Sequence, residues 1–271
     1  MSVLFVGVLL VASMTAVGTA VTVADFRALV GRRLVLGVAV AVNVLVVPGI
    51  AVAACAIAGT SAPATVGIVL AAAAPGGGTG ALLTLHARGD LAVSAALQAV
   101  LAPLGLASVP LWAQASGHDV VPSGWAGAGL VVGGLAGQMV PLAAGMWLRH
   151  RDGRRADRVH AVARRVADVL LVSLVVYFAV TAGGQLPDLG WPPIAVMALV
   201  VLVCVSVTAM PLGQAPERRA VGMTTAVRNL SLALFFAAPL GGTVVVALLA
   251  YGLLMYVMSV PVAVRLGQTA A

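Results

Sequence analysis

One arginine inside an apolar stretch is the residue most able to do chemistry in this sequence. Arg228 lies in the apolar segment 219–238 and follows Arg219 by nine residues, or about 13 Å of helix. It therefore lies near the centre of any membrane that this segment crosses. A charge at that depth costs about 2.5–3.5 kcal/mol and usually faces a bundle interior or a cavity. A spacing of four and three residues predicts that Thr224, Arg228 and Ser231 share one helical face.

A second irregular site lies in the apolar segment 63–85. It contains a proline and four glycines in the run Pro75-Gly76-Gly77-Gly78-Thr79-Gly80. Proline removes a backbone donor, and glycine disfavours helix. The run therefore predicts an unwound stretch at mid-membrane that protein or a water-filled cavity must surround. The alternative is a glycine surface for close helix packing.

The composition determines which elements hold these residues. Of the 271 residues, 62% are hydrophobic and 8% are charged, which is far from the mix of a soluble domain. We therefore predict one α-helical transmembrane domain over residues 1–271. About nine spans have suitable length. They cover residues 2–22, 34–58, 63–85, 91–114, 124–148, 166–183, 192–212, 219–238 and 241–264.

The arginines support this count. The chain has no lysine, and fourteen of its fifteen arginines fall in alternate connections between the spans. The longest connection, 149–165, contains seven of them and is predicted to be a partly helical cytoplasmic loop. The positive-inside rule places the N-terminus outside and the C-terminus in the cytoplasm of an inner membrane. The first span has no basic residue before it and is expected to be a span rather than a signal peptide.

The remaining polar and thiol residues carry weaker signals. Cys55 and Cys204 lie in apolar runs and are interpreted as packing residues. Asp90 follows Gly89 and is predicted to cap a helix, and the four histidines lie at span ends or in loops. No pattern for a metal or a catalytic set appears in the spans, so neither an enzyme nor a cofactor is expected.

Several short motifs together resemble the bile acid:sodium symporter family. They are the stretch Ala24-Asp25-Phe26-Arg27, the run Pro75-Gly76-Gly77 followed by Ala87-Arg88-Gly89-Asp90 and Ser94, and Arg219-Ala220-Val221 leading to Val227-Arg228-Asn229. The resemblance covers nearly the whole chain and fits the family's nine-helix form. It implies inverted repeats, a core and a panel domain, and two discontinuous helices that cross near two sodium ions.

The resemblance also shows where this chain departs from the family. Ser94 and Asn229 match the family's usual residues at the sodium sites. The other corresponding positions differ: Gly80 and Ala81 stand for a serine and an asparagine, Thr224 for a glutamate, Arg228 for a glutamine, Asn43 for a glutamine and Gln98 for a threonine. Arginine has five donors and no acceptor, so Arg228 would repel sodium and could replace it.

These observations predict a secondary transporter that moves a small or amphipathic organic anion by alternating access, without the usual sodium coupling. The predicted substrate contacts are Arg228, Asn229, Thr224, Thr79, Gly78 and Asn43. The residual ion-site positions are Ser94, Gln98, Thr224 and Asn229. The expected partners are the organic anion and the lipid bilayer, with no nucleic acid and no obligate protein partner.

Two alternatives stay open at this point. The first is sodium symport in which backbone carbonyls and a few hydroxyls hold the ions. The second is a membrane sensor or scaffold that does not transport and in which Arg228 locks the crossing of the two helices.

The charge alternation makes a prediction about topology. Cysteines introduced at Ser116 and Gly153 should react with a membrane-impermeant maleimide from opposite sides of the membrane. Labelling is measured in intact cells and in inverted vesicles. Reaction of both positions from the same side would contradict the nine-span arrangement.

Overall fold

A computed structural model describes residues 3–182 and 189–269. All the regular structure in these ranges is helical. The α-helices are α1 (Val3–Ala20), α2 (Val23–Gly31), α3 (Arg33–Ala41), α4 (Val47–Ala58), α5 (Ala62–Ala72), α6 (Gly80–His86), α7 (Leu91–Ala115), α8 (Trp125–Arg151), α9 (Gly153–Ala182), α10 (Trp191–Ser206), α11 (Ala215–Ala226), α12 (Leu230–Ala237) and α13 (Gly242–Gln268). A π-helical turn, Val42–Val46, joins α3 to α4.

The predicted all-α class is confirmed, whereas the count of nine spans stays a prediction. Six helical stretches in the described residues are long and apolar enough to cross a membrane, or seven if the bent pair α1 and α2 forms one span. The other predicted spans contain helix that is interrupted or more strongly charged. Residue 2 of the first predicted span and residue 183 of the sixth lie outside the described ranges.

Helices α1, α8 and α9 pack together as a group, which we call the three-helix layer. Asp152 alone separates α8 from α9, so the predicted loop 149–165 is almost entirely helical. The arginines there favour helix, and the charge pattern is that of an amphipathic helix start rather than a loop. The rest of the chain meets this layer mainly through α7, α12 and α13.

Two interrupted helices cross in the centre of the molecule. Helix α5 ends at Ala72 and α6 begins at Gly80, and α11 ends at Ala226 while α12 begins at Leu230. The backbones of the two breaks bond to each other. The Asn229 amide donates to the Ala74 carbonyl at 2.7 Å, and the Gly77 amide donates to the Val227 carbonyl at 3.4 Å. Each break thus supplies partners for backbone groups that the other releases.

A proline also shapes the second predicted span. Pro48 has no amide proton, so the carbonyl of Val44, four residues earlier, loses its helical partner. The Trp112 indole donates to that carbonyl at 2.7 Å and ties α7 to this turn. Asn43 lies in the same π-helical turn, and π-helical turns are frequent at functional sites.

The helix ends near residues 22–32 and 213–217 are linked by caps and ion pairs. Thr22 and Asp25 form a capping box at the start of α2, which bends by 79° from α1. Arg32 pairs with Asp90 at 3.4 Å and with Glu217 at 3.0 Å. Asp90 accepts the Val93 amide at 3.1 Å, so its predicted role as the cap of α7 is confirmed. The starts of α7 and α11 are therefore held to the α2–α3 junction.

The outer surface is apolar, as expected of a lipid-facing protein. Large side chains such as Ile57 and Val180 are almost fully exposed. Trp125 and Trp191 are exposed at the first residues of α8 and α10, which is the place that interfacial tryptophans take in membrane proteins.

Adjacent glycines in the first break offer a test of the crossing. A methyl group on Gly77 would collide with the carbonyl oxygen of Arg228, whereas one on Gly78 would meet only Val17 at 3.8 Å. We therefore expect Gly77→Ala to destabilise the protein by about 1–3 kcal/mol. Gly78→Ala is the matched control and should change the melting temperature of the purified protein little. Equal melting temperatures for the two variants would contradict the close approach of the two breaks.

Candidate functional site

The centre of the site is the side chain of Arg228, which is 1% exposed. It extends from the break between α11 and α12 towards the second predicted span and α10. One terminal nitrogen donates to Asn43 Oδ1 at 3.1 Å, and the other donates to Cys204 Sγ at 3.2 Å. The Asn43 amide nitrogen donates in turn to the Ala39 carbonyl and to Thr225 Oγ1, both at 2.8 Å. The bonds of Asn43 thus aim its oxygen at the guanidinium.

The guanidinium has an unusual electrostatic setting. Within residues 3–182 and 189–269 no carboxylate forms an ion pair with Arg228. Its Nε is buried without a hydrogen-bond partner in these ranges, and the nearby Tyr251 hydroxyl, also buried, does not meet the geometry of a hydrogen bond. A buried cation that is bonded to neutral acceptors alone is expensive, so it persists only where the surrounding fold fixes it.

Asn229, next to Arg228, organises the start of α12. Its side-chain oxygen accepts the Leu232 amide at 3.1 Å and the Ser231 hydroxyl at 2.7 Å. Ser231 also bonds to Ser13 of α1 at 3.0 Å, which links the crossing to the three-helix layer. The amide nitrogen of Asn229 is buried and has no partner among the described residues.

A second polar cluster lies where the resemblance places sodium ligands. The Ser94 hydroxyl bonds to Thr224 at 2.8 Å, and it accepts from Thr84 at 3.1 Å and from the Gln98 amide at 3.2 Å. These hydroxyls satisfy one another, and the cluster contains no carboxylate to offset a cation. In the described residues, no group of three or more His, Cys, Asp or Glu side chains could hold a metal ion. The side chains of this cluster therefore offer a cation only neutral hydroxyl and amide oxygens.

A cavity of about 450 Å³ separates the crossing from the three-helix layer. Its wall is mostly apolar, and its polar residues come from both sides. They are Ser13, Asp25, Thr79, Gln98, His160, Arg164, Asp168, Arg228, Asn229, Ser231 and Tyr256. Thr79 in the first break bonds to the Tyr256 hydroxyl of α13 at 2.7 Å. An apolar cavity with a few polar groups is typical of a small-molecule site.

The structure divides the six predicted substrate contacts into two groups. Gly78, Thr79, Arg228 and Asn229 line the cavity, whereas Asn43 and Thr224 are fully buried and do not. Both hydrogen-bond partners of the guanidinium also lie outside the cavity lining. Other protein groups bond to the polar atoms of Asn43 and Thr224, and their contact with a substrate stays a prediction.

The predicted helical face was also wrong. Thr224, Arg228 and Ser231 do not share a face, because the helix stops at Ala226 and restarts at Leu230. Of the residual ion-site positions, Ser94, Gln98 and Thr224 come together, whereas Asn229 caps α12. The predicted helix-break residues Pro75, Gly76, Gly77 and Gly78 lie in the first break, and Gly80 is the first residue of α6.

Sequence reasoning missed several residues of the site. Cys204 was interpreted as a packing residue, yet its sulfur accepts from Arg228. Tyr256 and the cavity face that His160 and Arg164 share on α9 were not singled out either. One signal was present for α9, since His160, Arg164 and Asp168 recur every four residues and must lie on one face.

Comparison with known families adds an independent result. A family model described as Sodium Bile acid symporter family matches residues 7–186, about two thirds of the chain. The chain belongs to the sodium bile acid symporter family. No curated protein matches the sequence.

Membership in the symporter family agrees with the fold and the cavity. The members of this family are transporters of the bile acid symporter type, and the long apolar helices agree with a multi-pass membrane protein. The matched region includes the first break, the Ser94 helix and most of the three-helix layer. Arg228 lies beyond the matched region.

The contacts of Arg228 predict a large effect on stability. Arg228→Ala removes two buried hydrogen bonds and leaves a void, so we expect a loss of about 2–4 kcal/mol. Arg228→Lys keeps the charge but cannot reach Asn43 and Cys204 together, and it should fall between Ala and wild type. The measurement is thermal melting of purified protein. The exposed Arg265 is the control, and Arg265→Ala should change stability by less than about 0.5 kcal/mol.

Proposed function

We propose that this protein moves a small or amphipathic organic anion across the inner membrane by alternating access, without sodium coupling. The observation that carries this proposal is the enclosed guanidinium of Arg228 at the crossing, bonded to Asn43 and Cys204. In a sodium-coupled relative, a dissociable cation would stabilise such a crossing. In this protein the guanidinium of Arg228 would supply the positive charge at the crossing. Its charge would repel a sodium ion that approached the same place.

The cavity supports the transport part of the proposal. It lies between the three-helix layer and the crossing, the two bodies that would move relative to each other in alternating access. Its apolar wall suits the body of an amphipathic substrate. Thr79, Asn229 and Tyr256 offer hydrogen bonds to a polar group of that substrate.

The membrane arrangement is part of the same proposal. Six long apolar stretches, one of which is α11–α12, become nine spans if α1 with α2, α5 with α6, and α9 each count as one more. The three-helix layer would be the panel and the remaining helices the core. The arginine-rich ends of α8 and α9 would then face the cytoplasm, and the cavity, which contains His160 and Arg164, would open to that side.

One observation favours a second candidate function. Because Arg228 bridges the second predicted span and α10, it holds two elements to the crossing at once. A rigid crossing of that kind suits a membrane sensor or scaffold that binds the anion without transporting it. Flux separates the two candidates, because a sensor would bind cholate without exchanging it across the membrane.

We expect transport to be insensitive to sodium. Proteoliposomes loaded with unlabelled cholate should take up labelled cholate equally fast in sodium chloride and in choline chloride at the same ionic strength. The reason is that no carboxylate accompanies the clustered hydroxyls of Ser94 and Thr224 to offset the charge of a sodium ion, while Arg228 adds a positive charge nearby. A steep, saturable dependence on sodium would contradict the proposal and favour ions held by backbone carbonyls.

A double variant provides the matched control. Thr224→Glu combined with Arg228→Gln restores both family-type residues, so the protein should gain a sodium-dependent rise in melting temperature. Arg228→Gln alone lacks the carboxylate and should not gain it. Binding of cholate without any exchange flux in wild type would favour the sensor.

A further inference from the structure

The charged side chains of the cavity show which group can receive the anion. Five of the described lining residues are arginine, aspartate or histidine: Asp25, His160, Arg164, Asp168 and Arg228. Arg228 is enclosed by its own contacts, and Asp25 belongs to the capping box of α2. His160 is tied to α1, because its Nδ1 lies 2.9 Å from the Ala16 carbonyl oxygen.

Unlike the other four residues, Arg164 has guanidinium nitrogens that could bind an anionic ligand. Its side chain is 43% exposed, and it faces Asp168, one helical turn away on α9. Their closest atoms, Nε and Oδ2, are 3.7 Å apart, which is too long for a hydrogen bond. Arginine preceding its acidic partner is also the weaker order for a helical pair. The two terminal nitrogens of Arg164 can therefore donate two parallel hydrogen bonds to the carboxylate of a ligand.

We propose that Arg164 is the anion-recognising residue of the cavity and that Asp168 is its resting partner, which the carboxylate of the substrate displaces. This inference rests on the proposed function and names the group that selects an anion. The substrate class is an amphipathic monocarboxylate whose apolar body lies along the cavity wall. Before the exchange, Arg164 and Asp168 form a long, partly exposed ion pair. After it, two nitrogens of Arg164 donate to the two oxygens of the substrate carboxylate inside the less polar cavity.

The test compares variants with an anionic and an uncharged probe. Binding of labelled cholate and of its uncharged primary amide, cholamide, is measured in lipid nanodiscs for wild type, Arg164→Gln, Asp168→Asn and Arg165→Gln. Arg165 is the matched control, because it is the next residue on α9 but is exposed and does not line the cavity. Thermal melting checks that each variant is folded.

We expect Arg164→Gln to weaken cholate binding on the order of tenfold and to leave cholamide binding unchanged. Asp168→Asn should tighten cholate binding about two- to threefold by removing the competitor, and Arg165→Gln should have no effect. Equal losses for cholate and cholamide in Arg164→Gln, or weaker cholate binding in Asp168→Asn, would overturn the inference while leaving the proposed function intact. Absence of saturable cholate binding in wild type would overturn both.

Discussion

The structure depends on two helix breaks that complete each other's hydrogen bonds inside an apolar environment. Backbone groups released near Pro75 cannot turn to water there, and neither can those released near Arg228. The hydrogen bonds from the Asn229 amide to the Ala74 carbonyl and from the Gly77 amide to the Val227 carbonyl provide partners for backbone groups of both breaks. They also force the two backbones close, which is why Gly77 lies against the Arg228 carbonyl where no side chain fits. The position of Arg228 at the crossing follows from this contact.

The family resemblance placed stabilisation of the crossing and substrate contact on the same residues, whereas the structure places the two in different parts of the molecule. On one side the guanidinium of Arg228 is bonded to Asn43 and Cys204, away from the cavity lining. On the other side the cavity presents Thr79 and Asn229 at the crossing and Arg164 on α9. A charge that stabilises the crossing and a charge that selects the substrate can therefore be different residues. The protein can then tolerate a change in one without losing the other.

Much of the fold followed from the sequence, but the partners within the site did not. Apolar composition predicted the all-helical class, and the position of Asp90 after Gly89, at the start of an apolar segment, correctly indicated a helix cap. The second break has no proline or glycine within 227–229, so nothing local contradicted a continuous helical face. Cys204 precedes Arg228 by 24 residues, and only the packing of α10 against the crossing brings them together. Local patterns predict where a helix is weak, whereas contacts between helices depend on the whole assembly.

A cation attached to the chain obeys a different mass-action law from one taken from solution. A bound ion stabilises a state by an amount that rises with its concentration and vanishes when the solution is depleted of it. The guanidinium of Arg228 is present at the crossing at a fixed, effectively intramolecular concentration. The contribution of this guanidinium to the crossing therefore does not depend on binding a cation from solution. The same attachment means that the cation cannot leave on one side of the membrane and stores no gradient, so under the proposed function the work of transport comes from the substrate or from another ion.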